Sequence, residues 1–171
     1  MKRRQIVFFA LASSAAAVLH APSAAASPSP HDQRPSMDIS KRNQLVEQLS
    51  AQPEPLLVPI EIFFDGNDDL GSIGCNLMDH PGIDAFRETF ARIARRRDVE
   101  AVYAQIAELD PGDDCWPFSD TVFVVGSIHA DELAAELKTL EPDEVGSAED
   151  FGIPDALSQK HSSPILVAWW D

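Results

Sequence analysis

Asp65-Gly-Asn67-Asp68-Asp69 sets carboxylate and amide oxygens at alternate positions of a short polar stretch, the D-x-N-x-D opening of an oxygen-ligand calcium loop. A hard cation needs several such oxygens from one tight turn. The pattern then breaks: Leu70 stands where that loop requires glycine, and Asn76 where it requires a bidentate Glu. An Asx-rich turn, in which Asp and Asn bond their own backbone, is therefore the preferred reading. A calcium site built from Asp65, Asn67 and Asp69 with Asp113 or Asp114 is the alternative.

Asp79-His80-Pro81-Gly82 joins a carboxylate to an imidazole, a pair able to move a proton or ligate a metal. It lies just ahead of an amphipathic run with proline at its start, where Asp79 or His80 would serve better as a helix cap. His80, His129 and His161 have no zinc-ligand spacing, and no H-E-x-x-H, C-x-x-C or G-x-S-x-G occurs. Gly66, Gly71 and Gly74 do not form a phosphate loop. No catalytic residue is assigned, and a non-catalytic protein is preferred to an enzyme.

The first 26 residues read as an export signal. Lys2, Arg3 and Arg4 precede an apolar run from Ile6 to Leu19, and Ala24-Ala25-Ala26 before Ser27 offers a small-residue cleavage site. The run is too short to span a bilayer, so a periplasmic or secreted product with no membrane attachment after cleavage is expected. Arg3-Arg4 leaves the twin-arginine route open beside the general one. In an oxidising compartment, Cys75 and Cys115, the two cysteines of the chain, are expected to form a disulfide.

The formal charge is −15, and the leader carries three of the 13 basic residues and none of the acidic ones, so cleavage deepens it. Such a chain repels phosphate backbones and anionic membrane surfaces. Nucleic acid is excluded as a partner, and a basic protein or a cation is favoured.

The elements that must position these residues follow. Residues 27–56, rich in Pro, Ser and Gln, read as a flexible lead-in with one short helix around Leu45, Val46 and Leu49. Residues 57–171 form the folded domain. Strands are expected at Val58–Phe64, Val99–Glu108, Thr121–Val125 and Ile165–Trp170. One helix carries Ile83, Phe86, Phe90 and Ile93 on a single face, and a second carries Leu133, Leu137 and Leu140.

The order βαββαβ predicts an α+β, ferredoxin-like fold: a four-stranded antiparallel sheet with two helices on one face. The first strand would lie between the fourth and third, with the second at the edge. Loops 65–82, 109–120 and 141–162 would then meet at one sheet edge, bringing Cys75 to Cys115 and gathering most of the acid. Arg92, Arg95, Arg96 and Arg97 would end the first helix at the opposite edge. The uncovered sheet face, with Phe63, Glu61 and one of Trp169 or Trp170, would be closed by the lead-in or by a homodimer partner.

Phe63-Phe-Asp-Gly-Asn67, Ser72-Ile-Gly-Cys-Asn76, His80-Pro-Gly-Ile83, Trp116-Pro-Phe-Ser-Asp-Thr-Val122 and the final Trp169-Trp-Asp171 together resemble a family of small bacterial proteins of unassigned function. The resemblance spans residues 57–171 and implies one compact α/β domain, with no activity, cofactor or catalytic residue. Function is therefore read as binding of a protein partner at the acidic loop edge, through Asp68, Asp79, His80 and Trp116. A divalent-cation module or cation-dependent enzyme on the Asp65–Asp69 loop is the second reading.

Overall fold

The structure is a computed structural model that describes residues 37–171. The signal sequence, its cleavage point and the first part of the lead-in lie outside the described residues. The chain builds helix α1 (Ile39–Ser50), strand β1 (Leu56–Pro59), helices α2 (Ile60–Phe64) and α3 (Ile83–Ala94), strands β2 (Val99–Ile106) and β3 (Thr121–Gly126), helix α4 (Ala130–Leu137), strand β4 (Glu144–Ser147), helix α5 (Asp155–Lys160) and strand β5 (Ile165–Trp169).

Helix α1 is the helix expected in the lead-in, and it joins the core. The Asp38 carboxylate caps it by accepting from the amides of Ser40 at 3.0 Å and Lys41 at 3.2 Å, donors that have no partner inside the helix. Arg42, Leu45 and Leu49 form its inner stripe. Burying one such leucine contributes roughly 1.5–3 kcal/mol, which holds in place a helix too short to be stable alone.

The strand expected over Val58–Phe64 is half helix. Pro59, at φ −53° and ψ 137°, ends β1 and stands at the N-cap of α2. Ile60, Phe63 and Phe64 then turn inward, a spacing of three and four that only a helix satisfies. The alternating Ile-Glu-Ile-Phe run fits a strand on paper. The helical solution buries both phenylalanines, whereas a strand would leave one of them on the far face. Phe63, expected to point away from the helices, is fully buried among them.

This half-helix changes the topology. The sheet has five antiparallel strands in the order β1-β2-β3-β5-β4, and the four-stranded ferredoxin-like arrangement is not what forms. Strand β1 pairs directly with β2, with Leu56 opposite Ile106 and Pro59 opposite Tyr103, so β1 lies at an edge and not at the centre. The chain leaves β1, runs back along the sheet through α2 and the 65–82 loop, and returns through α3 to start β2 at the edge where β1 ended. Two passes across one face bring the chain back antiparallel; the single crossover expected from sequence would have made the pair parallel.

Helices α1 to α4 cover one sheet face. Trp170 sits in this core, its ring 5.7 Å from that of Phe86 and 6.3 Å from that of Phe90, and its indole N–H donates to the Leu140 carbonyl at 2.8 Å. Trp169 points the other way, as alternation requires. That second face is not left bare: Leu157 of α5 and Ala148 pack on Tyr103, Phe123, Val125, Ile165 and Val167. The covering segment follows β4, which extends the sheet beyond β5.

Candidate functional site

Two of the three loops expected at one edge do meet there. The amide of Trp116 donates to Asp69 Oδ2 at 2.8 Å, and the amide of Ser119 donates to the Ser72 carbonyl at 2.8 Å. The third segment divides. Glu144–Ser147 forms β4, so Glu141 and Asp143 stay at this edge while Glu149 and Asp150 follow the far end of the strand. The acid is therefore less one-sided than the four-stranded topology required. At the opposite edge Arg96 is paired with Asp98, Glu132 and Glu136, and Arg92 with Glu136.

The Asp65–Asp69 loop is an Asx turn system. Asn67 is buried; its Oδ1 accepts from the Asp69 amide at 3.0 Å and its Nδ2 donates to Ser72 Oγ at 2.9 Å. Asp69 Oδ1 caps the following single-turn 3₁₀ helix by accepting from the Gly71 amide at 2.8 Å. Asp65 points away to Lys41, 2.6 Å from its ammonium. The oxygens that a calcium ion would need are thus spent on backbone amides and a lysine. Asp113 and Asp114 are exposed in the other loop. Among the described residues, no group of three or more His, Cys, Asp or Glu side chains is placed to hold a metal ion.

His80 is held by backbone. Its Nδ1 accepts from the Gly82 amide at 3.0 Å, which leaves Nε2 to donate to the Ile73 carbonyl at 2.9 Å. Neither it nor Asp79, which is exposed, supplies a cap bond to α3, whose N-cap is Gly82 at φ +94°. Asp68 is half-buried beside the turn.

Between the two loops lies a cleft of about 300 Å³ lined by Asp69, Gly71, Cys75, Glu108, Pro111, Cys115, Trp116 and Phe118. Both cysteines line it as free thiols, so the expected bridge is not formed. Cys75 Sγ lies 3.8 Å from Oδ1 of the neighbouring Asn76, and the Cys115 turn is fixed from behind through its backbone. That fixing comes from Arg42, a buried guanidinium whose Nε donates to the Cys115 carbonyl at 3.0 Å and Nη2 to the Gly112 carbonyl at 2.8 Å, with Asp110 as its ion-pair partner. Trp116 is buried as the cleft wall, and its indole N–H has no partner among the described residues. Pro111, Trp116 and Phe118 make an apolar wall beside the exposed Glu108 carboxylate, with Asp113 and Asp114 on the same loop.

A second polar cluster escaped the sequence. On the far sheet face Lys160 Nζ donates to Tyr103 Oη at 2.7 Å, Tyr103 Oη lies 3.2 Å from His161 Nε2, and His161 Nδ1 lies 2.7 Å from Glu100 Oε1. Ser163 Oγ donates to the other Glu100 oxygen at 2.9 Å. The partners are some sixty residues apart in the chain, so no local motif announces them; they meet only because α5 folds over β2. The cluster latches α5 to the sheet.

The His161 and Ser163 hydrogen bonds hold the Glu100 carboxyl below its ordinary range. A depressed folded value means the stabilisation is fully present above the unfolded carboxylate range and is lost as pH falls from there through the lower folded value. Wild-type thermal stability is therefore expected to fall more steeply than that of Glu100→Gln between about pH 5 and pH 3. Melting both proteins across that range checks it; identical acid limbs would contradict the latch.

Residues 40–168 match the model of the family described as the uncharacterized protein YfbO family. The chain is also similar to the uncharacterized protein YfbO of Escherichia coli (strain K12), with 32% identity over 124 residues, covering 70% of this chain and 84% of that protein. No solved structure matches the chain.

Proposed function

We propose that this chain, which belongs to the YfbO family, is a non-catalytic exported module that takes a basic segment of a protein partner in the cleft between its 65–82 and 107–120 loops. The observation that carries the reading is the cleft's make-up: an apolar wall of Pro111, Trp116 and Phe118 with Glu108 at its side. A lysine or arginine lays its aliphatic stem on such a wall and keeps its charge at the carboxylate. The formal charge of −15 speeds the approach of a cationic partner. Nucleic acid and anionic membrane surfaces are disfavoured by the same charge.

The test is an arginine-rich peptide titrated against wild type and against a Glu108→Gln, Asp113→Asn, Asp114→Asn variant. These side chains are exposed, so the variant keeps the fold. Affinity is expected to fall at least tenfold, since each charge-assisted contact is worth about 1.5 kcal/mol, and binding should weaken with salt. Equal affinity in both proteins would overturn the proposal.

Export, and oxidation of the free Cys75 and Cys115 thiols to a bridge in an oxidising compartment, belong to the same reading, supported by the leader and by the shared cleft. One intact-mass measurement on protein recovered from the cell envelope tests both. The expected mass is that of the chain from Ser27, less the two thiol hydrogens. The mass of the full chain with free thiols would contradict both.

A further inference from the structure

We infer that the groove between α2 and α3 is a binding site for a small zwitterion with an apolar side chain, such as a free aromatic or branched amino acid. The groove, of about 560 Å³, falls within the range of small-molecule sites. It exists because Ala91 and Ala94 present only methyl groups one turn apart on α3, while α2 stops after five residues. Ile60 and Phe64, both nearly inaccessible, form the floor.

The rim carries the specificity. Of the charged side chains there, Asp65 is neutralised by Lys41 at 2.6 Å. Arg87 is consumed by Asp84 and by the carbonyls of Phe64 and Asn67. Two charges of opposite sign are left. Arg95 spends its Nε on the Ala91 carbonyl at 2.9 Å, and its terminal nitrogens have no partner among the described residues. Glu61 has no ion pair or side-chain hydrogen bond among them either. Both belong to the same end of the groove, since α2 begins and α3 ends at the sheet edge where β1 stops and β2 starts. They do not pair with each other, so a molecule between them must offer a carboxylate to the Arg95 fork and an ammonium to Glu61. Its side chain then enters the apolar floor. A purely anionic amphiphile would face Glu61, and a cationic one would face Arg95.

The test titrates L-phenylalanine into the protein, with 3-phenylpropanoate and phenethylamine as analogues lacking the ammonium or the carboxylate. Phenylalanine is expected to bind saturably and each analogue about tenfold more weakly, the loss of one charge-assisted contact. Glu61→Gln is expected to weaken phenylalanine and leave 3-phenylpropanoate unharmed; Arg95→Gln should weaken phenylalanine and leave phenethylamine unharmed. Ala91→Leu, which fills the groove, should abolish binding, and an unchanged circular-dichroism melt shows that the fold is kept. No saturable binding of phenylalanine, equal binding of either analogue, or full binding by Ala91→Leu would each overturn the assignment.

Discussion

Gly126→Ala is expected to destroy the folded state or to destabilise it by at least about 4 kcal/mol. Gly126 closes β3 at φ +153° and pairs with Val99. A Cβ there would lie 2.2 Å from the Asp98 carbonyl oxygen and 2.8 Å from Val99 Cα. Both obstacles are backbone, so no side-chain rotation relieves the clash. The crowding has a structural origin. The ladder shifts register between Val99 and Ala101, the Gly126 amide donates to the Pro164 carbonyl at 2.9 Å, and the Ser127 amide donates to the Asp98 carbonyl at 2.8 Å. Three chain segments converge on one residue with no room for a side chain. Gly146→Ala is the matched control. It lies in β4, and a Cβ there meets nothing within 4 Å, so its urea midpoint should stay at or slightly above that of wild type. A Gly126→Ala protein within about 1 kcal/mol of wild type would contradict the β2–β3 junction.

Arg42→Ala is expected to cost about 3 kcal/mol and to lower the melting temperature by roughly 10 °C. The substitution removes the hydrogen bonds to the Cys115 and Gly112 carbonyls and the ion pair with Asp110. Asp110 is exposed and recovers water, so the larger share of the loss lies with the two carbonyls and the vacated space. Arg42→Lys keeps the charge but cannot span three acceptors from a planar fork, and should fall between. Amide hydrogen exchange supplies a second readout: residues 110–116 should exchange faster in Arg42→Ala while the strand amides of β3 stay protected. An Arg42→Ala protein as stable as wild type would show that α1 is not fastened to the cleft loop.

The two effects illustrate what the chain discloses locally and what it does not. Strands β2, β3 and β5 were legible from their β-branched and aromatic residues, buried on both faces in β3, and helices α3 and α4 from the three-to-four spacing of their buried apolar residues. Strand β1 was misread past Pro59, where four apolar residues in five satisfy both periods and only packing decides. Strand β4 has a single large apolar residue, Val145, and its partner is supplied by β5; nothing local marks it. Those two elements determine the strand order, and with them missing the four-stranded ferredoxin-like topology was the natural but incorrect result.

The candidate site was legible in part for the same reason. The Asx turn at Asp65–Asp69 follows from local chemistry. Loops 65–82 and 109–120 were expected to meet because the first two strands would run parallel; they meet instead because the chain crosses the sheet twice between antiparallel β1 and β2. Arg42 was hidden because its acceptors lie some seventy residues away. The Glu100–His161–Tyr103–Lys160 latch was hidden because α5 reaches the second sheet face only when β4 exists.

The most direct measurement of partner binding is a residue-by-residue map of amide chemical shifts as an arginine-rich peptide is added to the folded protein. Binding in the loop cleft predicts shifts concentrated at residues 69–75 and 108–118, including the Trp116 indole N–H, with β4 and α5 unmoved. Shifts scattered evenly over the acidic surface, or absent from these two loops at saturation, would contradict it.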